Sequence, residues 1–323
     1  MALGNLTSAP EFLLLGLMDG TDVHPLLFLI FLGVYLLNGL GNLSMVAVVR
    51  TDGALQAPMY YFLGHLSLVD VCFTTVTVPR LLVGLLHPGQ AVSFEGCFAQ
   101  MYFFVALGIT ESYLLAAMSY DRAVAVCRPL HYGTIMTLRR CAALVAASWV
   151  LAHLHSLLHT LLISALSYPP SASVRHFFCD MTVMLSLATS DTTAAETAIF
   201  TEGLAVVLTP LLLVSLSYTH ILITVLGVRS AGGRRRAFST CGAHLVVVSL
   251  FFGSVLKKTK KQEMNLAAHG KGDRTVWPAA VGAQRKAEKQ EKSGEGLKEI
   301  VFGCAAAFTS PLQTPFAETS LTI

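Results

Sequence analysis

Met118-Ser119-Tyr120-Asp121-Arg122-Ala123-Val124-Ala125-Val126-Cys127 closes an apolar run that begins near Phe98 and carries Glu111 and Ser112 inside it. Such a run exceeds the roughly 20 residues that a helix needs to cross a hydrocarbon core. An arginine at the end of a membrane helix is costly unless it is paired or snorkels to the interface, and the neighbour of Arg122 is a carboxylate. On the residues alone, Asp121 and Arg122 read as an interfacial ion pair.

Five more runs of the same kind surround this one, at about 26–49, 59–82, 141–164, 198–228 and 237–256, the fifth span interrupted by Pro210 and the sixth holding His244. Lipid offers no partner to an open backbone, so each is expected to be helical. Composition agrees: 54% of the 323 residues are apolar, 13% are charged and the mean hydropathy is +0.63, too apolar for one soluble domain.

The charge is unevenly placed. Residues 1–256 contain eleven Arg and no Lys against twelve acids, and residues 257–323 contain nine Lys and two Arg against seven acids. The body is therefore at −1 and the tail at +4, a modest excess that suggests no nucleic-acid partner. The chain divides into an N-terminal segment 1–25, a helix bundle 26–256 and a basic tail 257–323. The tail, from Lys257-Lys258-Thr259-Lys260-Lys261 on, is rich in Lys, Glu, Gln and Gly, and such composition predicts disorder or a frayed helix. Its one apolar patch, Ile300 to Phe308, is too short to span, so no seventh span is expected.

Basic residues collect in cytoplasmic loops. Arg50 follows span 1; Arg128, Arg139 and Arg140 lie between spans 3 and 4; Arg229 and Arg234 to Arg236 lie between spans 5 and 6; the opposite side has Arg80 and Arg175. This places the N-terminus outside, where Asn5-Leu6-Thr7 forms a glycosylation sequon at Asn5. Residues 1–22 lack the basic flank and cleavage site of a signal peptide, so span 1 is expected to act as its own signal. The basic cluster after Leu256 would face outside if span 6 crossed, against the charge rule; five crossings, with span 6 and the tail in the cytoplasm, is the alternative.

Several further segments, read together, resemble the olfactory subfamily of class A, rhodopsin-like G-protein-coupled receptors. Gly41-Asn42 in span 1, Pro58-Met59-Tyr60-Tyr61-Phe62-Leu63 opening span 2, and the Met118 to Cys127 stretch are similar to signatures of that family. So are Pro129-Leu130-His131-Tyr132, Ser217-Tyr218, and Phe238-Ser239-Thr240-Cys241 with His244. Six matches in order cover about four-fifths of the chain. The fold implied is an all-α, rhodopsin-like transmembrane bundle, with six recognisable helices and the seventh missing or replaced.

The resemblance implies roles. Asp121 and Arg122 would form a G-protein coupling switch in which the acid holds the arginine at rest, with Tyr218 as the span 5 partner. Ala123 stands where the family usually has a tyrosine. Cys97 and Cys179 would be bridged, and an oxidising compartment favours that over free thiols. Pro169 and Thr189 occupy positions where relatives carry two further cysteines, which implies a looser loop. A small ligand would bind between spans 3, 5 and 6. Phe104, Val105, Gly108, Ile109 and Ser112 fall near the inward face of span 3, with Glu202 and Val206 on span 5 and Phe252 and Val255 on span 6 as the corresponding family positions. For each, helix packing is the competing reading. Glu202 is the sharpest, because an acid at membrane depth is expensive unless paired or solvated, and Glu111 raises the same question with an interhelical hydrogen bond as its alternative.

His176-Phe177-Phe178-Cys179-Asp180 has the look of a metal motif, but a bridged Cys179 cannot ligate, and His155 with His159 supply only two ligands on one face of span 4. No metal or cofactor is expected. The histidines on span 4 read as interhelical hydrogen-bonding groups, and Cys72, Cys127, Cys141 and Cys241 as small apolar packers.

Two functions follow. The first is a plasma-membrane receptor that binds a small volatile odorant, sits in lipid and signals through a heterotrimeric G protein of the olfactory Gs type. The second is a non-signalling relic without a seventh helix, retained in the endoplasmic reticulum. No zinc-protease, nucleophile-elbow or phosphate-loop motif appears, so an enzyme is not expected.

Overall fold

The structure, a computed structural model, describes residues 11–14, 25–87, 89–174, 178–228, 232 and 241–257. The expected glycosylation site Asn5, the His176-Phe177 part of the loop motif, the tail beyond Lys257 and any seventh span lie outside the described residues.

Five helices are long and apolar enough to cross a membrane: α1 (Pro25–Thr51), α2 (Pro58–Leu86), α3 (Phe94–Cys127), α5 (Leu138–Ser164) and α7 (Thr193–Gly227). They correspond to spans 1 to 5. Between them lie two short helices, α4 (Tyr132–Ile135) and α6 (Met181–Leu187). The sixth span appears as α8 (Cys241–Lys257), 17 residues among those described; the expected start at 237–240 lies outside them.

The starts of the helices are written in the sequence. Pro58 occupies the first turn of α2, where its missing N–H costs nothing. Ser93 caps α3 by accepting from the Gly96 N–H at 3.2 Å, and Glu95 in the first turn complements the helix dipole. Thr137 does the same for α5 through the Arg140 N–H at 3.4 Å. Span 5 differs from expectation: α7 runs unbroken through Pro210 and starts at Thr193. A proline inside a membrane helix removes one backbone hydrogen bond, and buried Pro210 is accommodated by packing.

α3 is the most buried of the long helices and packs against α2, α5 and α7; α1 packs on α2 and turns Leu26, Leu29, Leu36, Leu40 and Leu43 outward. Outward leucines are what a lipid-facing surface requires. The largest apolar cluster joins Leu114, Leu115 and Met118 of α3 to Phe62 and Leu66 of α2, Val214 and Ile221 of α7, and Val247, Val248 and Phe251 of α8. α8 buries Cys241, His244, Val248 and Phe251, a stripe at helical spacing.

The other end of the bundle carries a sheet that the sequence did not announce. β1 (Glu11–Leu14) lies between β2 (Gln90–Ser93), antiparallel with Phe12 opposite Val92, and β3 (Ser171–Val174), parallel. Phe12 is fully buried there, with Phe94 at 6.3 Å and Tyr168 at 5.6 Å between ring centroids.

Candidate ligand cleft and switch

At the end of α3 nearest α4, Asp121 is 1% exposed and is the hub of a small network. Arg122 donates to Asp121 Oδ2 from Nη2 at 2.6 Å and from Nε at 3.2 Å, and Tyr132 of α4 donates its hydroxyl to Oδ1 at 2.7 Å. Burial, followed by the adjacent Asp121 charge, pushes the Tyr132 hydroxyl well above the usual tyrosine range, so it acts as a donor. Arg140 of α5 fixes α4 by donating to the Ile135 carbonyl at 3.0 Å. The ion pair read from the sequence is therefore real, and Tyr132 is a third member that no spacing rule revealed.

Tyr218, the expected partner of Arg122, is engaged elsewhere. Its hydroxyl meets His244 Nδ1 of α8 at 2.6 Å, with the rings stacked at 5.9 Å. α7 is tied to the end of α3 nearly two turns further on, where Thr224 Oγ1 contacts Cys127 Sγ at 3.2 Å.

At the opposite end, Cys97 and Cys179 form a disulfide, with Cα atoms 5.4 Å apart. Cys97 lies in the first turn of α3 rather than before it, and Met184 of α6 covers the bridge. The Gln100 side chain works at both ends: Nε2 donates to the Val76 carbonyl of α2 at 2.9 Å, and Oε1 accepts from the Cys179 N–H at 3.4 Å. Phe178 is thereby seated against α1 and α2, beside Phe31, Val78 and Leu81.

That placement reaches the expected ligand residues. Phe104 packs between Phe178 (4.8 Å) and Phe73 of α2 (5.0 Å) with tilted rings, and a Cβ on Gly108 would meet Phe73 Cε2 at 3.8 Å. Val105 and Ile109 are half-buried, and Ser112 turns its hydroxyl to the Ile109 carbonyl at 2.8 Å, within its own helix. On α7, Glu202 is exposed and Val206 half-buried; on α8, Phe252 is buried in the main cluster and Val255 packs against it. Glu111 is buried in α3. The structure thus brings Phe104 and Gly108 against the rings of Phe73 and Phe178, places Phe252 and Val255 in the main apolar cluster, and leaves Glu202 exposed. No group of three metal-ligating side chains occurs among the described residues.

Residues 31–262 match the family model described as olfactory receptor. The chain belongs to the olfactory receptor family. It is 49% identical over 255 residues to olfactory receptor 1L1 of Homo sapiens, covering 79% of this chain and 71% of that one. Olfactory receptor 1f45 of Rattus norvegicus is 48% identical over 256 residues, 79% of this chain and 82% of its own. Olfactory receptor 1G1 of Gorilla gorilla gorilla is 48% identical over 250 residues, 77% and 80% respectively. As a member of this family of G-protein-coupled receptors, the chain is a multi-pass membrane protein and not an enzyme.

The loop expected to be looser at Pro169 and Thr189 is tied beside them. Ser167 accepts from the Thr189 N–H at 2.9 Å and the Thr189 hydroxyl at 3.1 Å, and its own N–H donates to Ser190 Oγ at 3.1 Å. Ala123, next to Arg122 in sequence, is buried.

Proposed function

We propose that this olfactory receptor binds a small, apolar or weakly polar volatile odorant between α3, α7 and α8, and couples that event to a heterotrimeric G protein of the olfactory Gs type. It acts in the lipid of the plasma membrane with its N-terminus outside. The observation that carries the reading is the division of the switch: Arg122 is held by Asp121, and Tyr218 by His244 of α8. An outward swing of α8 would draw His244 away from Tyr218 and free that hydroxyl to meet Arg122, which Asp121 of its own helix holds at rest. Ligand contacts come from Phe104, Val105, Gly108, Ile109 and Ser112 on α3, Glu202 and Val206 on α7, and Phe252 and Val255 on α8. The residues on α3 and α7 share one layer, for Phe104 and Glu202 each lie about ten residues from the end of their helix nearest the disulfide.

The test is odorant-evoked cAMP together with a cell-surface epitope assay. A ligand-dependent rise in surface-displayed receptor, weakened by Phe104→Ala and Val105→Ala, is expected. Responses that survive both substitutions unchanged for every active odorant would sink the ligand assignment. Retention in the endoplasmic reticulum without any rise would favour a non-signalling chain, and a glycosylation tag after Leu256 reports separately whether α8 crosses.

A further inference from the structure

Three histidines sit on α5 near the disulfide end of the bundle, and they differ in one respect. His153 is satisfied, with Nδ1 2.7 Å from the Tyr102 hydroxyl and its ring stacked on Trp149. His159 is 1% exposed, and neither of its ring nitrogens meets a hydrogen-bond partner among the described residues. His155, one turn earlier on the same face, lies with its ring centroid 4.1 Å from that of His159. α5 is pinned to α3 at this depth by Ser156 Oγ, which donates to the Tyr102 carbonyl at 2.7 Å.

A buried imidazole with both nitrogens unpaired is costly, which distinguishes His159 from an ordinary packing residue. We propose that His155 and His159 form a hydrogen-bonding subsite on α5 that selects odorants carrying an alcohol or phenol hydroxyl. This rests on reading the bundle as an odorant receptor and names the chemical class that its cleft prefers. A neutral imidazole offers one N–H donor and one acceptor nitrogen, and a carboxylate offers acceptors only. A hydroxyl both donates and accepts, so it satisfies a histidine nitrogen of each kind. A ketone or ester oxygen only accepts, as does a carboxylate, and a hydrocarbon does neither.

The experiment uses the full chain, purified in micelles, and reads ligand-dependent thermal stabilisation, which needs no G protein. The probes are alcohols, ketones, carboxylic acids and alkanes on matched carbon skeletons, plus phenols. The alcohols and phenols are expected to stabilise the protein at concentrations about tenfold or more below the matched ketones. His159→Phe and His155→Leu should abolish that preference, and His159→Gln, which keeps a donor and an acceptor, should retain part of it. Equal stabilisation by alcohols and ketones overturns the inference, as does a preference that survives His159→Phe, or one removed by a metal chelator. If ketones or alkanes bind and alcohols do not, this subsite alone falls; if no compound of any class stabilises the chain, the odorant-binding reading falls with it.

Discussion

Tyr132 donates its hydroxyl to Asp121 Oδ1 across 2.7 Å, on the side of the carboxylate opposite to Arg122. The bond joins α4 to α3, so the short helix beside the switch and the switch itself move as one unit. A hydrogen bond to a charged group contributes about 1.5–3 kcal/mol. Tyr132→Phe removes it and leaves the ion pair. The expected result is a several-fold rise in odorant-independent cAMP, normalised to surface receptor. Basal signalling equal to the parent chain would show that Tyr132 merely packs.

The same contact has a predictable response to pH. Burial and the Asp121 charge raise the pKa of Tyr132, so the protonated, donating form persists beyond the usual tyrosine range. A raised value means that the contribution is complete below the ordinary value of about 10 and is lost only as pH climbs through the elevated one. Basal cAMP in permeabilised membranes should therefore be flat from about pH 6 to 8 as far as this element is concerned. A steep change in the parent chain that disappears in Tyr132→Phe would contradict it.

His244 and Tyr218 invite a double-substitution cycle, because each is buried and each is the other's partner at 2.6 Å. Removing one leaves the other unsatisfied at a cost of about 1–3 kcal/mol, and removing both is far milder. We expect His244→Leu and Tyr218→Phe each to lower the melting temperature of the purified receptor, and the pair together to lower it by less than the sum. Simple additivity would mean that the two groups are not coupled.

What the sequence disclosed follows from which forces are local. Hydropathy over a whole span outlines α1, α2, α3, α5 and α7, and Asp121 beside Arg122 announces an ion pair because a membrane end tolerates little else. Tyr132 was quoted within a motif, but its partner is eleven residues away and only the turn of α4 aims it there. β1 was invisible for a similar reason: four residues carry too little pattern, and its neighbours begin at Gln90 and Ser171. Pro210 signals a break by local rules, whereas tertiary packing carries α7 through it. The histidines of α5 look alike in sequence, and only burial separates satisfied His153 from unpaired His159.

Gln100 is expected to set ligand sensitivity without touching ligand. Its two bonds fix the Cys179 backbone and the α2 carbonyl of Val76, and through Cys179 the adjacent Phe178 is held against Phe104. Each bond contributes about 0.5–1.5 kcal/mol. Gln100→Leu should raise the odorant concentration for half-maximal response with little change in surface amount, and Gln100→Glu, which keeps the acceptor for Cys179, should recover part of the loss. Equal defects in the two variants would refute the positioning role.

Phe12 supplies the last prediction, because it is the only described side chain of β1 that is buried, and it is wholly so. It fills the space between Phe94, Tyr168 and the disulfide cluster, and it anchors a strand paired on both edges. Loss of a fully buried phenylalanine costs about 3–5 kcal/mol. Phe12→Ala should lower thermal stability and surface display together, and Phe12→Leu should restore most of both, since an aliphatic side chain still fills the site. The backbone pairing of β1 with β2 and β3 is independent of side-chain identity, so hydrogen exchange at Phe12 and Leu13 should rise in the alanine variant only if the strand detaches. Stability lost without faster exchange would place the role of Phe12 in packing alone; stability unchanged would show that the strand does not hold that end of the bundle.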